Sequence, residues 1–238
     1  MDEYYLLLEQ LKSSKAYQIE GRLITLSDYI YVFNHNYKDV VDFVNKVKNP
    51  QVIFPLISIE NTQALDISIN EVVRRLFNFL SSATALVDQT RIAINYWYAG
   101  NEFLYEYKSE VKNRFVNNSL TGFIEELRNF SLHYSLPITH AVFSINIENG
   151  ISKGLPNFQY VIKKRPLLQF SGWTQKKGKP FFSTFDDEIE IQGLLESYYK
   201  QASDFHSWLF NRIKEIHSED LIWLSEIKER INSLLPKE

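Results

Sequence analysis

The chain has 238 residues, a formal net charge of −3 and no cysteine. Its hydrophobic fraction of 45% and charged fraction of 23% are typical of a globular protein with a sizeable core in one or two domains. The lack of cysteine excludes disulfides, zinc–thiolate sites and cysteine nucleophiles. The net charge argues against a protein devoted wholly to nucleic-acid binding. No basic signal region and no apolar run of ~18 residues is visible, so we expect a soluble, cytoplasmic protein without membrane contact.

The first sixty residues predict a small α+β element that docks on the main body. Residues 2–14 and 38–48 have the apolar spacing of short helices. Residues 17–33 alternate in polarity and end in a run rich in tyrosine and β-branched residues, and residues 52–59 are similar, so strands are expected in both.

Residues 61–238 predict a helical domain, interrupted by a basic β-hairpin or loop insertion around 138–183. The clearest helix covers residues 70–99 and ends before Gly100, where a C-terminal cap belongs. We therefore expect a mainly α protein, a bundle of at least four helices with short accessory strands. The other helices are predicted at 101–116, 121–135, 187–216 and 221–235, and the strands at 141–147 and 159–162.

One predicted helix ends in several polar residues that face away from its buried apolar stripe. Phe123, Leu127, Phe130 and Tyr134 share one side at a rotation of about 100° per residue, which predicts the core face. Arg128, Asn129 and His133 lie on the other side, and Leu132 stands among them. Pro137 disfavours helix at the residue before it, so His133 is predicted in the last turn. An outward leucine beside polar residues is typical of a second contact surface.

The pattern Arg128-Asn129-x-x-x-His133 on a helix resembles the HEPN superfamily (higher eukaryotes and prokaryotes nucleotide-binding). The resemblance takes in the long helix before the motif and implies a HEPN-like helical bundle. It also implies metal-independent RNA cleavage, in which a 2′-hydroxyl attacks the neighbouring phosphorus and leaves a 2′,3′-cyclic phosphate. Under that reading His133 transfers the proton and Arg128 stabilises the charge on the phosphoryl oxygens. Asn129 binds the phosphate or orients His133.

Arg128 and His133 are five residues apart, which turns them about 140° from each other on the helix. Two copies that face each other across a two-fold axis would bring them together, as HEPN ribonucleases do. We therefore expect a homodimer whose interface includes the motif helix and Leu132. The alternative reading is structural: Arg128 pairs with a nearby glutamate, and His133 only caps the helix.

Three charged residues and a basic segment complete the candidate site. Asp88 and Arg91 are one turn apart and are candidates to orient Arg128, although a solvated ion pair explains them as well. Glu125 is one turn before the motif. Residues 151–180 contain seven basic residues, Lys153 among them, and no acidic residue, so they predict either an RNA-binding surface or a charged, solvated hairpin. The predicted RNA-binding residues are Lys163, Lys164, Arg165, Trp173, Lys176, Lys177 and Lys179.

Histidine spacing indicates no metal site, and no phosphate-binding loop or dinucleotide fingerprint is present, so no metal or cofactor is expected. The leading hypothesis is a HEPN-like endoribonuclease, with a bacterial toxin–antitoxin or phage-defence role implied by family analogy alone. Its expected partners are RNA, a second copy, and an antitoxin or other protein. The alternative is a non-catalytic HEPN-like module that binds RNA, a nucleotide or a protein. A third reading is a structural helical protein in which the motif is coincidental.

Overall fold

The computed structural model describes residues 2–137, 139–145, 147–148, 151–152 and 157–235. Helices dominate these residues and a small sheet accompanies them, which confirms the prediction of a mainly α fold with short accessory strands. None of the helices in the described part of the chain has the length and apolarity needed to cross a membrane. The helices are α1 (Asp2–Ser13), α2 (Lys15–Val47), α3 (Pro50–Leu56), α4 (Thr62–Trp97), α5 (Glu102–Val111), α6 (Ser119–His133), α7 (Lys164–Leu167), α8 (Lys179–Phe182), α9 (Ile191–Ile216) and α10 (Ser218–Ser233).

The chain divides into two compact units. The first contains Met1–Ile30 and Ser203–Glu238, and the second contains Tyr31–Ala202. Neither boundary coincides with the division predicted at residue 60. In the first unit α1 packs against α10 around a core that includes Leu7, Leu11, Leu224 and Ile227.

The strands predicted in the first sixty residues are wrong, because α2 and α3 occupy those positions. Along α2 the residues Ile19, Leu26, Phe33, Val40 and Val47 recur every seventh position, and each is at most 3% exposed. That period places one apolar stripe on a helix, and its burial outweighs the weak β preference of the intervening tyrosines and valines.

Helix α3 begins at Pro50 and covers the first five residues of the strand predicted at 52–59, because the residues at its start favour a helix. The Asn49 side chain accepts a hydrogen bond from the Gln51 amide at 2.9 Å. Pro50 occupies the first helical position, where its missing amide hydrogen costs nothing.

The second unit contains the predicted long helix, which the structure extends to Thr62–Trp97. The C-cap residue is Tyr98, whose amide donates to the Ile94 carbonyl, so the cap predicted at Gly100 lies two residues too late. Gly100 itself has φ +76°, a left-handed conformation that favours glycine in the turn after the helix. Helix α5 continues into a π-helical turn at Lys112–Val116, and α6 follows.

The predicted pairing of two strands in the insertion is confirmed. Strands β1 (Thr139–Ser144) and β4 (Asn157–Lys163) are antiparallel, and β5 (Glu188–Glu190) adds to the other edge of β4. A second, two-residue pair consists of β2 (Ile147–Glu148) and β3 (Ile151–Ser152). Strand β5 takes the place of the predicted start of the long C-terminal helix, which begins at Ile191 instead.

Candidate functional site on helix α6

Local sequence fixes both ends of α6. The Asn118 side chain accepts hydrogen bonds from the amides of Leu120 and Thr121 at 3.0 and 3.2 Å, which caps the first turn. The helix ends at His133, in the last turn as predicted. Phe123, Leu127 and Phe130 are at most 2% exposed and form the predicted buried stripe. Tyr134 departs from that prediction, because it follows the last helical residue and is 54% exposed.

Arg128 and Asn129 are half-buried beside each other. The Arg128 Nη1 donates to Asn129 Oδ1 at 3.3 Å, whereas the Arg128 Nε is buried and has no acceptor among the described residues. No ion pair between Arg128 and a carboxylate occurs in the described part of the chain, so the structural alternative of an Arg128–glutamate pair has no support there.

A cleft of about 530 Å³ opens between α4 and α6 within the second unit. Arg128 and Asn129 line it together with all three predicted supporting residues, Asp88, Arg91 and Glu125. Arg91 donates to Asp88 at 2.9 Å, and both side chains are about half exposed, so this pair also fits the reading of a solvated ion pair. Six of the predicted site residues therefore line one cleft: these five from α4 and α6, and Lys177 from the basic segment.

His133 does not line the cleft. It lies about 7.5 Å further along the helix axis than Arg128 and about 140° around it, by helix geometry. It is exposed, and three large apolar side chains next to it are exposed as well: Leu132 at 41%, Tyr134 at 54% and Leu136 at 51%. The outward position of Leu132 is as predicted. We call residues 132–136 the α6 end surface.

The base-stacking role predicted for Trp173 is wrong, because its ring belongs to the core. Trp173 is 3% exposed and stacks on Phe123 with ring centroids 5.3 Å apart and planes 9° apart. Its indole Nε1 donates to the Leu167 carbonyl at 2.6 Å. A buried and hydrogen-bonded indole offers no face to a nucleic-acid base.

The predicted RNA-binding cations fall into two groups. Lys164 donates through Nζ to the carbonyls of Phe182 and Phe185, and Lys177 forms an exposed ion pair with Glu125 at 2.8 Å, so both already have partners within the chain. The second group consists of exposed side chains for which no acceptor is seen among the described residues: Lys163, Arg165, Lys176 and Lys179. Lys153 lies outside the described residues.

Glu126 is a residue that the sequence reasoning missed. It is 4% exposed, and its carboxylate accepts hydrogen bonds from the Thr174 amide at 3.1 Å, the Thr174 hydroxyl at 2.7 Å and the Gly178 amide at 3.1 Å. These bonds fix residues 174–178, the anchored loop, against α6. The sequence did contain a signal for this burial. Position 126 lies about 60° from Phe123 on the helix, which is on the core side, and an acidic side chain there needs buried hydrogen-bond donors.

The phenol of Tyr198 adjoins the same cleft. Burial, and then the nearby Glu125 carboxylate, raise the pKa of Tyr198, so its hydroxyl stays neutral at physiological pH. Among the described residues, no three histidine or acidic side chains lie close enough together to hold a metal ion.

Comparison with protein-family models, with curated proteins and with solved structures finds no match for this chain.

Proposed function

We propose that the protein is a HEPN-like, metal-independent endoribonuclease whose active site is completed by two copies of the chain. The observation that carries this proposal is the divergence of Arg128 and His133 on α6. Arg128 lines a cleft, whereas His133 is exposed beyond it on the α6 end surface. Because the two positions diverge by about 140° around the helix, one copy does not easily bring both side chains to one phosphate, and a second copy packed on the exposed apolar residues would supply the missing partner.

The proposed chemistry uses Arg128 of one copy and His133 of the other. His133 accepts the proton of a ribose 2′-hydroxyl, and the 2′-oxygen forms a bond to the adjacent phosphorus. The bond from phosphorus to the 5′-oxygen breaks, and that oxygen leaves with a proton from an imidazolium or from water. The Arg128 guanidinium binds the phosphoryl oxygens as their negative charge grows. Asn129 helps to hold Arg128, since the two side chains are hydrogen-bonded.

In our proposal, RNA binds to the exposed basic side chains next to this site. Lys163, Arg165, Lys176 and Lys179 are exposed. Lys176 lies in the anchored loop, which Glu126 fixes against α6, and Lys179 follows that loop as the first residue of α8. Cations that have no acidic partner attract a phosphate backbone by releasing its counterions. A role in a bacterial toxin or phage-defence system, with an antitoxin as partner, is the biological setting we propose.

The test is cleavage of single-stranded RNA in the presence of EDTA. The wild type should cut and leave 2′,3′-cyclic phosphate ends. His133→Ala should reduce the rate about 10²–10⁴-fold, the usual contribution of positioned proton transfer. Arg128→Ala should reduce it about 10²–10³-fold, as expected when a donor to the developing negative charge is removed. Asn129→Ala should reduce it less. Cleavage that requires a divalent metal, or a fully active His133→Ala variant, contradicts the mechanism.

The second candidate is a non-catalytic HEPN-like module that binds RNA, a nucleotide or a protein. One observation favours it: the cleft that holds Arg128 excludes His133. A wild-type protein that binds RNA but cuts none, whatever the oligomeric state, would support this module instead of the nuclease.

A further inference from the structure

We propose that the outer edge of strand β1 pairs with β1 of a second copy, so that the two three-stranded sheets join into one sheet across a two-fold axis. This pairing rests on the proposed function, which requires two copies to complete one active site. It adds the surface through which the two copies bind each other.

Strand β1 is the outermost strand of its sheet. The strand order is β1-β4-β5, and β1 pairs on one side with β4. In the described part of the chain, no backbone hydrogen bond connects the other side of β1 to another segment. Helix α4 packs on one face of the sheet, where Ser68 hydrogen-bonds to the Tyr160 hydroxyl of β4, and so it does not replace a neighbouring strand. An edge of this kind presents a row of free amides and carbonyls to another strand.

The two edges of this sheet differ in their protection against pairing. Strand β5 has three residues, and two of them are the acidic Glu188 and Glu190. Shortness and charge are devices by which proteins keep an edge strand from pairing. Strand β1 has six residues, and none of them is Lys, Arg, Asp, Glu or Pro. Residues 140–143 of β1 are partly exposed, so the longer and uncharged edge is the one that a partner strand reaches.

The area that a dimer needs favours a second copy at this edge. Leu132, Tyr134 and Leu136 on the α6 end surface are each about half exposed. At roughly 150–250 Å² for a large side chain, they offer on the order of 300 Å² together, whereas a specific interface buries about 800 Å² on each partner. Strand β1 begins at Thr139, just after that surface in the chain, and extends it. A strand is also complementary to its own copy when the two run antiparallel, which is the arrangement that a two-fold axis produces.

Disulfide linkage of single-cysteine variants of the full chain tests the pairing. The chain has no cysteine, so one introduced cysteine can form a disulfide only between two copies. In a two-fold antiparallel pair the residue on the axis lies opposite its own copy, and two β1 strands overlap most with the axis at Ala141 or Val142. The Cβ atoms there are about 4.5–5.5 Å apart, close to disulfide distance. We expect Ala141→Cys or Val142→Cys to give mostly linked dimer under mild oxidation.

Ser144→Cys is the matched control, because it lies on the same strand and is more exposed than either of those positions. Its own copy would lie roughly 14–20 Å away along the paired strands. Disulfide geometry excludes that distance, so linkage should be at least about tenfold slower than in the better of the other two variants. Equal rates in all three variants would mean random collision and would overturn the proposal. No linked dimer in Ala141→Cys and Val142→Cys would also overturn it and would leave the edge to a strand of another protein.

Val142→Lys tests the same edge without a cysteine. A lysine on an edge strand opposes pairing, so sedimentation should show a dimer dissociation constant raised at least about tenfold. Gln159→Lys is the control, because Gln159 lies opposite Val142 on β4, one strand inside the edge, and the substitution adds the same charge. Its dimer should be unchanged. A wild-type dimer that Val142→Lys leaves intact contradicts the pairing.

The outcomes also separate the β1 pairing from the proposed nuclease. Metal-independent RNA cleavage by a dimer that Val142→Lys leaves intact would refute the β1 pairing alone. A dimer that is linked through β1 but cuts no RNA would refute the nuclease alone.

Discussion

Burial of a carboxylate destabilises a protein unless hydrogen bonds compensate it, and at Glu126 three donors of the anchored loop do so. We predict that Glu126→Ala lowers the free energy of unfolding by about 2–4 kcal/mol, because the loop donors lose their acceptor. Chemical denaturation measures this difference. The matched control is Glu125→Ala, one residue away and exposed, whose ion pair with Lys177 contributes less than about 1 kcal/mol. Equal effects of the two variants would contradict the anchoring role.

For single residues, the sequence predicted burial or exposure correctly where a side chain's direction depends only on its rotation around a helix axis. The outward position of Leu132 and the buried positions of Phe123, Leu127 and Phe130 followed from rotation about one axis. Trp173 was placed wrongly because its direction depends on a loop that Glu126 fixes from 48 residues away in the chain. Long-range contacts of that kind leave no periodic pattern, so sequence reasoning could assign the basic residues a charge but not a direction.

At the scale of elements, two glycines inside helices give a matched pair of substitutions. A methyl group added at Gly21 in α2 would meet no atom within 4 Å, whereas one added at Gly122 in α6 would lie 2.7–2.8 Å from the Cβ and backbone of Lys177. Gly21→Ala should therefore stabilise the protein by about 0.5–1 kcal/mol through its better helix propensity. Gly122→Ala should destabilise it, because the anchored loop must move.

Thermal unfolding followed by circular dichroism distinguishes the two substitutions. Opposite shifts of the melting temperature are expected, upward for Gly21→Ala and downward for Gly122→Ala. Shifts of the same sign would contradict the close approach of the loop to α6.

The same elements explain which helices the sequence could predict. The long helix at Thr62–Trp97 was predictable from its apolar spacing and from the glycine that follows it. Helix α2 was missed although Ile19, Leu26 and Phe33 mark a seven-residue period, because local β preference was given more weight than that period. Strand β5 was missed because its three residues gain their structure only from pairing with β4.

At the scale of the whole molecule, a net charge of −3 makes the position of the exposed cations decisive for RNA binding. We predict that the double variant Lys176→Glu/Lys179→Glu binds RNA more weakly. The slope of log K against log salt concentration should also fall by about 2, one for each lost phosphate contact. The control is Lys12→Glu/Lys108→Glu, which makes the same change of net charge at exposed lysines elsewhere. Equal effects of both variants would mean that the basic segment affects RNA binding only through the overall charge of the protein.

The central claim is that Arg128 of one copy acts with His133 of the other. This claim predicts opposite activities for two mixed dimers, each of which can be purified through different tags on its two chains. A dimer of Arg128→Ala with His133→Ala contains one complete shared site and should retain about half of the wild-type RNA cleavage.

The comparison dimer pairs a wild-type chain with a chain that carries both substitutions. Neither of its shared sites is complete, so cleavage should be lost. The decisive measurement is the rate of RNA cleavage by these two mixed dimers, in EDTA, side by side. Activity in the first and none in the second is the predicted result. The reverse pattern would place both side chains in a site within one copy, and it would contradict the account.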